Sequence, residues 1–129
     1  MTIANDRRVV SYLFEQHVNL IANLNSTLGG NFSTMIELQP LPSYFADIGV
    51  QKGGNMLGLE RDPRNKLYFA LAVTLTSPES VKLQPQVFQK LLAVIEKIKA
   101  FAKSTGTSEG FVYLAICESH PGPAWELWR

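Results

Sequence analysis

Residues 66–76 read KLYFALAVTLT. Leu67, Phe69, Leu71, Val73 and Leu75 alternate with Tyr68, Ala70, Ala72 and Thr74. A period of two puts the two sets on opposite faces of a β-strand. The first set is purely apolar and belongs under a covering layer. The second combines small residues with a phenol and a hydroxyl. It is too apolar for a plain solvated face and too polar for a second core.

The same contrast recurs on both sides of this strand. STMIELQ (33–39) is a second strand, stopped by Pro40 and Pro42. GGNMLGLER (53–61) holds a third, at roughly 54–60. The turn sequence DPRN (62–65) should join it to the 66–76 strand as a hairpin. FVYLAICES (111–119) is a fourth. One set of alternating residues runs through all four: Ile36 and Leu38, Leu57 and Leu59, Leu67 to Leu75, and Val112, Leu114 and Ile116. The opposite set contains Met35, Glu37, Gln39, Met56, Gly58, Glu60, Tyr68, Phe111, Tyr113 and Cys117. Its small central residues leave room for a ligand, Met and aromatic groups would form walls, and the few polar groups would orient it. A glycine inside a strand marks a bulge or a close approach, and Gly58 fits either.

Two helices supply the covering layer. Residues 7–25 repeat Val10, Phe14, His17, Ile21 and Leu24 at helical spacing, with Val9, Leu13 and Leu20 beside them. Asp6 is the expected N-cap and Gly29-Gly30 the stop. Residues 86–104 carry the stripe Val87, Leu91, Val94, Ile95, Ile98 and Phe101, with Pro85 in the first turn and Gly106 after the end. SYFADIG (43–49) reads as one short helical turn. The expected fold is α+β: a four-stranded, mainly antiparallel sheet, two long helices on one face, and an open face for a ligand or a dimer partner. The whole chain, 1–129, reads as one domain, with a core over 8–117 and a tail over 118–129.

The 129 residues are 46% hydrophobic and 18% charged, with a formal net charge of +1. No basic patch offers the counterion release on which nucleic-acid binding depends. One cysteine excludes an internal disulfide framework and a cysteine zinc site. No signal-like h-region and no apolar run of membrane-spanning length is present, so the cytoplasm is the expected compartment, with no membrane partner.

The ordered series ELQPLP, GGNMLGLER, KLYFALAVTLTS and FVYLA resembles the C-terminal substrate-binding domain of fungal FAD-linked oxidoreductases. These are the berberine-bridge-enzyme type, of the vanillyl-alcohol-oxidase fold. The resemblance spans roughly residues 8–117. Two departures accompany it. The chain offers neither a flavin-attachment residue in context nor a Gly-rich pyrophosphate loop, because GGN lacks the strand-glycine-helix setting. The family's closing strand often reads Tyr-x-Asn-Tyr, where this chain has Tyr113, Leu114, Ala115 and Ile116. A domain without its flavin cannot transfer hydride alone, yet it can keep the substrate face.

The resemblance therefore implies a cofactor-independent cyclase or isomerase of fungal secondary metabolism. It would close an oxygen heterocycle on an aromatic or prenylated polyketide. Orientation and proton transfer would carry the chemistry. Glu37 is the expected acid/base and Glu60 a second carboxyl, either one raised in pKa by an apolar surround. Tyr68 and Tyr113 would donate to a substrate oxygen. Met35, Gln39, Met56, Gly58, Phe111 and Cys117 would line the face. No cofactor and no metal is expected. The alternative is a non-catalytic domain that dimerises or docks a partner, or a remnant of an FAD-linked oxidoreductase. A homo-oligomer would form through the open face or through Trp125 and Trp128 in the tail. His17 reads as a core histidine with one hydrogen bond, His120 as a surface loop residue, and Cys117 as a small buried hydrophobe.

Overall fold

The computed structural model describes residues 2–54 and 64–107. Strand β1 (Thr2–Ala4) leads into helix α1 (Arg7–Leu28). Asp6 caps α1: its carboxylate accepts from the Arg8 backbone N–H at 2.8 Å and from the Arg8 guanidinium at 2.7 Å. Gly29, at φ 57°, closes the helix by donating its N–H to the Asn25 carbonyl. That left-handed φ is one an L side chain resists. Strand β2 (Phe32–Leu41) and helix α2 (Ser43–Gln51) follow. Strand β3 (Lys66–Leu75), the short helix α3 (Pro78–Val81) and helix α4 (Gln84–Ser104) complete the described chain.

Among the described residues the sheet has three antiparallel strands in the order β1-β3-β2. Among the described residues the fold is α+β with four helices. Two strands expected from the sequence, at 54–60 and 111–119, fall largely or wholly outside the described residues. The first three residues of β3 already have neighbours on both sides: β1 at Thr2–Ala4 and β2 at Gln39–Leu41.

Three features depart from the sequence reading. β1 is a buried three-residue strand, too short to show a period. The expected single turn at 43–49 is a nine-residue helix. It has no cap of its own at Pro42. Instead the Asn65 side-chain carbonyl accepts from the Ser43 N–H at 3.0 Å, across 22 positions of sequence. In α1 the buried line is Val9, Leu13, Gln16, Leu20, Leu24 and Leu28, not the line through Phe14 and Ile21. Those two are 48% and 37% exposed. Half of this helix is apolar, so more than one stripe looks plausible in sequence.

The core lies between the helices and one face of the sheet. Ile3, Leu13, Leu24 and Ile98 are almost wholly buried, and each contributes about 1.5–3 kcal/mol by leaving water. Ile36, Leu38, Leu71, Val73 and Leu75 pack against this cluster. α1 and α4 also meet directly. The Tyr12 and Phe101 rings stack at 4.2 Å, and the Lys90 ammonium donates to the Thr27 hydroxyl at 3.0 Å and to the Asn23 side-chain carbonyl.

Candidate functional site

β2 and β3 present their second face away from the helices. Met35 stands opposite Ala72, Glu37 opposite Ala70, and Gln39 opposite Tyr68. Directly opposed side chains lie about 4.5–5.5 Å apart at Cβ, and diagonal ones about 7–8 Å. Glu37 is thus the diagonal neighbour of Tyr68, and one small ring system could touch both. Ala70 and Ala72 form a low floor between them. Met35 is 56% exposed. Glu37 and Gln39 are also exposed, while Tyr68 is half-buried. The described part of the face is a shallow surface, and the apolar enclosure expected around Glu37 is not supplied by the described residues.

Four of the expected site residues therefore share one surface: Met35, Glu37, Gln39 and Tyr68. Glu60, Tyr113, Met56, Gly58, Phe111 and Cys117 lie outside the described residues, as do Trp125, Trp128 and His120. One residue of the face escaped the sequence reading. Lys66 has the same parity as Tyr68, stands opposite Leu41 and Ala4, and is only 7% exposed. Its parity within 66–76 already put it on this side. The face is therefore closed at its Lys66 end and open at its Thr74 end.

On the other side of the sheet, the described residues leave little open space at the centre. A crevice lined by Leu13, His17, Ile36, Phe69, Leu71 and Val94 has no room for a water-sized molecule. His17 sits at its rim, with Nε2 at 3.0 Å from the Thr34 hydroxyl. Partial burial pushes its pKa below the ordinary imidazole value. One hydrogen bond at the core's edge is the role expected for it. Among the described residues no three potential ligands gather as a metal site, and no helix is long and apolar enough to cross a membrane.

No family model matches the chain, and no solved structure matches it. The chain is similar to the FAD-dependent monooxygenase drtC of Aspergillus calidoustus, at 24% identity over 127 residues. The match covers 95% of this chain and 23% of that protein, so the chain spans about a quarter of its relative's length.

The described residues do not fit an FAD pyrophosphate. A pyrophosphate is held where a glycine turn feeds a helix N-terminus, among free N–H groups and the positive end of the dipole. Here the glycines at positive φ are Gly29, Gly30, Gly53, Gly54 and Gly106. All of them follow helix C-termini, those of α1, α2 and α4, where carbonyls and the negative dipole end face outward. The α1 N-terminus is already occupied by the Asp6 carboxylate.

Proposed function

We propose that the exposed face of β2 and β3 is a substrate platform, on which the protein closes an oxygen heterocycle on an aromatic, prenylated polyketide without a redox cofactor. What supports this reading is the opposite fate of the two faces of the same strands. Every inward residue from Leu67 to Leu75 packs in or against the core. The outward ranks keep Met35, Glu37, Gln39 and Tyr68 accessible around two alanines. An aromatic ring lies on Ala70 and Ala72, Met35 contacts its prenyl arm, and Tyr68 and Gln39 hold an oxygen substituent.

The chemistry is a proton-balanced addition. The phenol proton passes to the Glu37 carboxylate as its oxygen bonds to one alkene carbon. The other alkene carbon takes a proton from a second carboxylic acid, the role this reading gives to Glu60. One O–H bond and one π bond are lost, one C–O and one C–H bond form, and the product is an isomer of the substrate. No oxidant is consumed. Holding the phenol against the alkene lowers the barrier by several kcal/mol, and a placed proton carrier contributes about 10²–10⁴-fold.

The test is to incubate the purified protein with an ortho-prenylphenol, resolve the products by chromatography with mass detection, and record the protein's absorption spectrum. A chroman of unchanged mass, formed without flavin absorption bands, is the expected result. Glu37→Gln should slow it about 100-fold or more. Flavin bands with an oxidised product, or turnover unchanged in Glu37→Gln, would overturn the reading.

A further inference from the structure

We infer that the outer edge of β2 and the adjoining flank of α1 form the interface between two copies of this chain, related by a two-fold axis normal to the sheet. Two independent features meet at this edge. The first is backbone: β2 is ten residues long and ends the strand order among the described residues. An edge of that length presents a row of N–H and C=O groups ready for a further strand.

The second is apolar. Phe14, Val18 and Ile21 are 48%, 64% and 37% exposed and recur at i, i+4 and i+7 on α1. The opposite flank of α1 is identified by its contacts with α4: Tyr12 stacks on Phe101, while Asn23 and Thr27 receive Lys90. At 100° per residue, Phe14, Val18 and Ile21 lie half a turn of the wheel from that flank. Their direction is also about a quarter turn from the residues facing the sheet. His17 lies between the two directions and bonds Thr34 on β2. The apolar flank therefore points sideways within the helix layer, outward over the β2 edge.

That direction selects the occupant. An added strand would satisfy the backbone of β2 but would lie below the level of Val18. A second copy supplies both layers at once. Its β2 pairs antiparallel with this β2, and its α1 runs antiparallel beside this α1. Inter-strand spacing of about 4.8 Å and inter-helix spacing of about 8–10 Å suit such a continuous two-layer sandwich. Phe14, Val18 and Ile21 carry no charge, so apposing the flank with itself costs no like-charge repulsion, as an isologous contact requires. The substrate face stays free in this dimer.

The test is sedimentation equilibrium of the full chain across a micromolar range, with hydrogen exchange on the same samples. The wild type should sediment as a dimer. Val18→Glu buries two carboxylates at the dyad and should weaken dimerisation about 100-fold or more, with an unchanged circular dichroism spectrum. Val18→Ser gives the same direction should the Glu variant fail to fold. Exchange at alternate β2 amides should slow as concentration rises. A monomeric wild type, β2 amides protected equally at every concentration (a segment of the same chain on the edge), or a dimer lost in Thr74→Arg but kept in Val18→Glu would each overturn the inference.

Discussion

His17 ties helix to sheet through one hydrogen bond, and it does so as a partly desolvated imidazole. Its folded pKa lies below the ordinary value near 6.5, so below that pH the unfolded chain binds more protons than the folded one. The stability it contributes is complete above about pH 6.5 and declines as pH falls through it. Urea midpoints at pH 8 and pH 5.5 should show this loss in the wild type and a smaller one in His17→Phe. Asp6 acts in a lower window. Its pairing with Arg8 holds its pKa at about 2, so its contribution is present above about pH 4 and disappears toward pH 2. Being at the surface, it should be weakened by added salt. Met35 separates binding from stability. It is 56% exposed, so Met35→Ala should leave the melting midpoint nearly unchanged while weakening capture of an ortho-prenylphenol.

At the scale of elements, what was legible in the sequence depended on how far each signal reached along the chain. The β2 and β3 faces were legible because a period of two needs only a few neighbours. Met35, Glu37 and Gln39 sorted from Ile36 and Leu38 within one short run. The α1 cap at Asp6 and stop at Gly29 were legible for the same reason. α2 was legible only as a single turn, because its cap is Asn65, far down the chain. Asn65→Ala should leave the Ser43 N–H unpaired, destabilising α2 by about 0.5–2 kcal/mol. Hydrogen exchange should show it as faster exchange in α2 and little change in α4. The α1 stripe was misread because Phe14 and Ile21 are apolar yet stand away from the core. Nothing in their own spacing separates a core flank from an exposed one.

For the whole molecule, the helix layer is held by few large side chains in tight contact. Ile98 is 1% exposed and lines the crevice beside Phe69 and Val94. Ile98→Ala should cost about 2–5 kcal/mol in denaturant unfolding, the spread reflecting how far the crevice collapses. Glu37 and Tyr68 are brought within one ligand's reach by register, and register is a pairing of distant segments that no local pattern contains. Among the described residues, the glycines at positive φ follow helix C-termini and do not form a nucleotide cradle.

β1 has a consequence for how the chain acquires its fold during synthesis. Among the described residues, Thr2, Ile3 and Ala4 pair in the sheet with Tyr68, Leu67 and Lys66, and the Ala4 N–H is taken up by the Thr107 carbonyl. At roughly 5–20 residues per second, translation delivers Tyr68 several seconds after Thr2, and Thr107 later still. Through that interval Ile3 is an apolar side chain on an unpaired strand, attached to a helix that can already form. The step that closes the sheet is thus the joining of the earliest and latest described segments. A ribosome stalled before Lys66 should hold a chain in which Thr2–Ala4 are still open to protease.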